Sequence, residues 1–254
     1  MLIHSGGCNV WEPMGSAYAI ALQQFLSIGW YEAHLAGIRT GPPYWAKNPA
    51  TGNLATWYDL SGNGRSLAAV APTEPTLIPT AGNTPTGYAT AQWAERVDAS
   101  YVDLAHLSCV AVASPALVTS LMISSWSQWG FALYHQADVM RCTVGAGRYG
   151  WVPLASGALH TLTIRFDGTG INNAARLRVR IDGVNQVVTF VGVIPAITGI
   201  DAGNVNCVGD KSNHAGGYGF SGRVMAWAAV KRTLTDAEVL TAEAALHTLV
   251  AGLP

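Results

Sequence analysis

The sequence predicts an all-β domain of antiparallel strands, a sandwich or barrel, followed by one C-terminal helix. Three observations carry this reading. From Leu54 onward at least ten short apolar or alternating runs are separated by Gly, Pro, Asn and Asp clusters, with no helical pattern between them. One run, ARLRVRID (175–182), alternates strictly: Leu177, Val179 and Ile181 share one face, and Arg176, Arg178 and Arg180 the other. That is the pattern of a sheet with one buried and one wet face. Finally, half of the 254 residues are hydrophobic, enough to fill the core of one large domain.

Taken in order, residues 1–24 read as an N-terminal arm with a short helix in Ser16–Phe25, and the domain proper as 25–254. FLSIGWY (25–31) is expected to be the first strand. The Gly41-Pro42-Pro43 and Asn48–Asn53 stretches are loop chemistry. In WYDLSGNGRSL (57–67), Asp59 ends a strand where its carboxylate can accept N–H groups of the following turn, and Gly62, Asn63 and Gly64 tolerate positive φ. HLSCVAVAS (106–114), LVTSLMISS (117–125) and LHTLTIRF (159–166) are strands. ARLRVRID and VNQVVTFVG (184–192) are two more, joined by an Asp182-Gly183 hairpin turn. The closing helix starts at a capping box, Thr235-x-x-Glu238. Val239, Ala242, Leu246, Leu249 and Val250 form its apolar stripe, and Gly252 and Pro254 end it.

Four of these pieces occur together in a known family. They are the early Trp30-Tyr31 strand; the turn Trp57-Tyr58-Asp59-Leu60-Ser61-Gly62-Asn63-Gly64; and His160 after Gly157 with the Leu177–Gly183 hairpin. The fourth is Phe220-Ser221-Gly222-Arg223-Val224 with Arg232-Thr233-Leu234-Thr235-Asp236-Ala237-Glu238. In this order and spacing, over roughly residues 25–250, the chain resembles the concanavalin A-like, laminin-G-like jelly-roll domains, in their bacterial and phage branch. The resemblance implies an antiparallel two-sheet jelly-roll sandwich, with the helix against the sandwich or its rim. It implies a trade in recognition and leaves the ligand open.

Composition removes several function classes. Only 11 % of residues are charged and the net charge is −1, with no basic stripe, so neither nucleic acid nor an anionic membrane is an expected partner. No run of about 18 apolar residues offers a membrane-spanning helix. No Lys or Arg precedes the first apolar stretch, the first being Arg39, so no secretory signal is expected. Cys8, Cys109, Cys142 and Cys207 are far apart and form no CxxC pair, and Cys109 and Cys142 read as buried thiols.

Candidate ligand-binding residues fall in two places. Trp126, Trp129, Tyr134, Tyr149 and Trp151 cluster on neighbouring hairpins and could stack on the apolar face of a sugar ring. The loop Gly209–Gly217 offers Asp210, Asn213 and His214 to hydroxyl groups. No metal is expected. The alternative is calcium on Asp59 and Asn63, a site with one acid where calcium takes six to eight oxygens. Catalysis is not expected either. The six Glu (Glu12, Glu32, Glu74, Glu95, Glu238 and Glu243) contain no pair at the E-x-D-x-x-E spacing of glucan-cleaving relatives. No nucleophile elbow supports a triad, His135 and Cys142 could approach across a hairpin but nothing orients the His, and His106 and His160 read as structural.

The sequence therefore predicts a non-catalytic, lectin-like structural protein of a phage virion, assembled in the host cytoplasm and decorating the capsid or displayed on the tail. Copies of itself, other virion proteins and cell-surface glycans are the expected partners, since a charge-poor surface and an arm suit packing among copies. The alternative is a secreted bacterial carbohydrate-binding module or adhesin.

Overall fold

The computed structural model describes residues 3–5, 8–10, 17–35, 45–69, 79–80, 84–85, 94–96, 103–115, 120–124, 131–145, 147–199, 206–208 and 222–250. In chain order the elements begin β1 (Ile3–Ser5), β2 (Cys8–Val10), α1 (Ala17–Ser27), β3 (Glu32–Leu35), β4 (Trp45–Lys47), β5 (Leu54–Trp57) and β6 (Leu67–Ala69). They continue with β7 (Pro79–Thr80), β8 (Thr84–Pro85), β9 (Ala94–Arg96), β10 (His106–Pro115), β11 (Ser120–Ser124), β12 (Phe131–Gln136), β13 (Val139–Val144) and β14 (Tyr149–Pro153). The last group is β15 (His160–Asp167), α2 (Asn173–Arg176), β16 (Leu177–Ile181), β17 (Val184–Asn185), β18 (Thr189–Val191), β19 (Asn206–Val208), β20 (Gly222–Val230) and α3 (Asp236–Leu249).

Two sheets make the sandwich, with strand orders β17-β16-β15-β10-β20-β3 and β18-β14-β13-β12-β11-β19-β9-β6-β5-β4. Among the described residues every strand pairing is antiparallel, as the alternating runs require. The fold is the all-β jelly-roll sandwich.

Alternation sorts the side chains into two cores. On β10, Leu107, Cys109, Ala111 and Ala113 enter the space between the sheets with Leu162, Ile164, Phe166, Leu177 and Val179. Val110 and Val112 point the opposite way, against Leu22, Phe25, Val239, Ala242 and Leu246 of the two long helices. The six-stranded sheet is thus covered on both faces. The buried thiols of Cys109 and Cys142 lie in the inter-sheet core, and burial pushes both well above the ordinary thiol range.

Two expected strands need correction. FLSIGWY is not a strand: Phe25 to Ser27 complete α1, and the chain turns at Gly29 (φ 73°) before entering β3. Its apolar residues serve a helix face, with Phe25 stacked on Trp30 at 5.1 Å between ring centroids, and a short apolar run does not reveal its period. The arm boundary at residue 24 accordingly falls inside α1, whose Tyr18, Ala21 and Leu22 are buried. VNQVVTFVG is likewise not one strand. Val184 and Asn185 end the six-stranded sheet, and residues 189–191 end the ten-stranded one, so the chain crosses between sheets at 186–188.

Other expectations stand as drawn. Asp182 (φ 49°) and Gly183 (φ 78°) are both left-handed, as a type I′ hairpin turn demands, between the paired Ile181 and Val184. The capping box at Thr235 and Glu238 is complete in both directions. Arg232 also grips Glu238, and this pair, with the Thr235 N–H, holds the Glu238 carboxyl down at about 2.

The β12–β13 hairpin carries a local cost. Its turn residues Ala137 (φ 47°) and Asp138 (φ 61°) are both left-handed without being glycine. An alanine there is strained by about 1–2 kcal/mol. Part of that is recovered by Ala137→Gly, because glycine loses more chain entropy on folding. The variant is expected to gain about 0.5–1 kcal/mol, read as a higher urea midpoint. Asp138 must stay, since its Oδ1 accepts from Ser156 N (2.8 Å) and Ser156 Oγ (2.6 Å).

Candidate functional site

The DLSGNG turn is a clamp. Asp59 is buried and its two carboxylate oxygens accept four bonds: from Ala33 N (3.0 Å), Ser61 N (2.9 Å) and Ser61 Oγ (2.8 Å), and from Arg65 N (2.8 Å). Burial alone would raise its pKa. The three backbone N–H groups outweigh burial, with His34 adding a smaller share, and the net effect is a lowered value. Asn63 turns its Nδ2 toward the carbonyl oxygens of Trp30 (3.1 Å) and Tyr31 (3.0 Å). Gly62 (φ 85°) and Gly64 (φ 69°) supply the left-handed corners. Asp59 and Asn63 therefore tie the turn to the start of β3, and a cation at Asp59 would have to displace four donors. Among the described residues no three His, Cys, Asp or Glu side chains come together to hold a metal.

Several of the other described acids also have structural partners. Glu32 accepts from Trp227 Nε1 (2.7 Å) in the inter-sheet core. Glu243 is bound by Arg180 and Thr163, and Glu238 caps α3. His160 lies between Asp182 Oδ2 (2.7 Å) and the Ala155 carbonyl (3.1 Å), and His135 Nε2 meets the Leu154 carbonyl (3.1 Å). Among the described residues no two carboxylates face each other across a cleft with a free oxygen on each.

The aromatic candidates have a different setting. On β12, β13 and β14 the core side is taken by Leu133, Cys142, Gly150 and Val152, so Tyr134, Arg141, Tyr149 and Trp151 stand on the outer face of the ten-stranded sheet. Register places them in two adjacent rows. Tyr134, Arg141, Trp151 and Thr189 lie side by side across four strands, and Ala132, Thr143, Tyr149 and Val191 form the next row. The Arg141 guanidinium sits over the Tyr149 ring, 4.2 Å from its centroid. On this face Tyr134, Arg141, Tyr149 and Trp151 are half-buried, and Ala132 and Thr143 of the next row are buried.

Of the six predicted ligand residues, the structure thus brings Tyr149 and Trp151 onto one surface. Trp126, Trp129, Asp210 and Asn213 lie outside the described residues. Arg141 is the member that sequence reading missed. Its signal was the alternation in VMRCTV, which puts Arg141 opposite the core-facing Met140 and Cys142.

The sequence matches no protein-family model and no curated protein. Its fold does match solved structures. The sialidase of Trypanosoma rangeli, in complex with sialic acid, aligns over 89 % of this chain and 37 % of its own, with a TM-score of 0.54 and 11 % identity. The ligand binding domain of botulinum neurotoxin serotype D, in complex with N-acetylneuraminic acid, aligns over 88 % of this chain and 52 % of its own, with a TM-score of 0.55 and 9 % identity. The type G receptor binding domain gives a TM-score of 0.52 at 10 % identity, over 85 % and 50 % of the two chains. This chain therefore spans about a third to a half of these three structures, and at such identities the likeness is one of fold.

Proposed function

We propose that this protein is a non-catalytic, lectin-like binding domain whose outer sheet face takes a glycan, and that it is displayed on a phage virion. The observation that carries the binding reading is the row Tyr134–Arg141–Trp151, with Tyr149 under the same guanidinium. Flat aromatic faces match the apolar side of a pyranose, and a guanidinium fixed between them donates to ring substituents. Two of the matched structures are complexes with sialic acid, which agrees with a cation among the aromatics. Against catalysis stand the structural partners of Glu32, Glu238 and Glu243.

The virion setting rests on the composition, since a surface with 11 % charged residues suits packing among copies. Glycan-array binding by the whole chain, repeated with Trp151→Ala and Arg141→Ala, tests the face. Each variant should keep its thermal midpoint and bind about tenfold more weakly. A Trp151→Ala chain that binds as well as the parent would sink the proposal. Immunogold labelling of intact particles tests the setting, and unlabelled virions would favour the secreted alternative.

A further inference from the structure

At the edge of the six-stranded sheet a cleft of about 370 Å³ is lined by residues of β15 and β16, the segment 185–190, α2 and the start of α3. Its lining combines three chemistries: Phe190 gives an apolar wall, Asn185 and Gln186 bring amides, and Arg165, Arg178 and Asp236 bring charge.

Arg165 and Arg178 are direct cross-strand neighbours on β15 and β16, an arrangement in which like charges repel. One lining carboxylate, Asp236, stands against these two guanidiniums, and Asp167, outside the lining, also lies within charge range of Arg178. Asp236 is already bound by Arg165 Nη1. The next arginine along the strand, Arg180, is neutralised by Glu243, and Asp167 beyond the cleft is held by Thr169 and His106.

Donors are also left over. The Arg165 side chain is only 8 % exposed, yet both of its protein bonds, to Asp236 and to the Leu234 carbonyl, come from Nη1. Its Nη2 and Nε, and the whole Arg178 guanidinium, donate to no acceptor among the described residues. A nearly buried guanidinium with unspent N–H groups, beside a second one, is a fork built for an oxyanion.

We propose that this cleft binds an acidic monosaccharide, its carboxylate held by Arg165 and Arg178. The ring lies along Phe190 and its hydroxyls meet Asn185 and Gln186. The volume is at the small end of ligand pockets and suits one sugar ring. This site is distinct from the aromatic row and does not depend on it: Phe190 packs against the inter-sheet core, whereas its neighbour Thr189 flanks Trp151 on the outer face.

Titration calorimetry on the whole chain tests the assignment, with D-glucuronic acid and N-acetylneuraminic acid as probes, and glucose and acetate as controls. At least one sugar acid should bind saturably, and glucose and acetate about tenfold more weakly or worse. Arg178→Ala, a change at an exposed position, should weaken the sugar acid about tenfold, and Arg223→Ala, exposed on β20 and part of neither surface, should leave it unchanged. Glycan-array binding by Arg178→Ala, which leaves the outer face intact, separates failure of the cleft from failure of that face. No saturable sugar-acid binding, undiminished binding after Arg178→Ala, or acetate binding as tightly as the sugar acids would each overturn the assignment.

Discussion

Replacing Asp59 by alanine is expected to destabilise the protein by about 3 kcal/mol, a drop of roughly 6–12 °C in thermal midpoint for a chain of this size. The change removes four hydrogen bonds and leaves the N–H groups of Ala33, Ser61 and Arg65 without their acceptor, the first of them in a buried site. Orphaned buried donors each cost about 1–3 kcal/mol, and water reaching the more exposed end of the turn reduces the sum. Asp59→Asn keeps one acceptor oxygen and should lie between. The same carboxylate gives a pH signature. Its pKa is lower in the folded chain than its ordinary value of 3.8. Its contribution is therefore fully present above about pH 4 and is lost as pH falls through the lower, folded value. Urea midpoints measured from pH 6 to pH 2 should fall more steeply for the parent than for Asp59→Asn, which cannot titrate. Parallel curves would show that Asp59 does not bear this load.

That clamp is a case where the sequence could be read to the level of atoms. Asp59, Ser61, Gly62, Asn63 and Gly64 within one turn have one economical use, and the structure puts them to it. The long strands were equally legible, because period-two alternation and turn chemistry are local signals. The errors share a different cause. FLSIGWY is too short an apolar run to declare a period, and α1 is held by its contacts with α3, some two hundred residues away. The split of VNQVVTFVG between two sheets likewise depends on what lies beside each half, Arg180 on one side and Tyr149 to Trp151 on the other.

The candidate site was less legible than the fold for the same reason. Tyr149 and Trp151 stand out by type, but Arg141 joins them only through β13–β14 register, and Tyr134 only through β12–β13 register. The arginines on β16 were expected on a wet face, and that was half right. Arg178 is exposed, whereas Arg180 lies under α3. A wet face predicted from alternation becomes an interface once a helix is laid on it.

The helix depends on that arginine. Arg180 Nε and Nη2 meet the two oxygens of Glu243, each at 3.0 Å, and Thr163 Oγ1 donates to the same carboxylate at 2.8 Å. The side chains are only 13 % and 6 % exposed. Glu243→Ala should cost about 3 kcal/mol, the low end for breaking a buried pair, because Arg180 keeps its bonds to Asn185 Oδ1 and the Gly183 carbonyl. Joint replacement, Glu243→Leu with Arg180→Leu, should recover most of that loss, since an apolar pair avoids the desolvation both charges suffer. The single and double variants form a cycle, with an expected coupling of about 1–3 kcal/mol in urea unfolding. Losses that simply add would show that α3 is held by Val239, Ala242 and Leu246 alone, with the ion pair a bystander. A measured coupling would instead make Glu243 the residue that fixes where α3 sits on the six-stranded sheet.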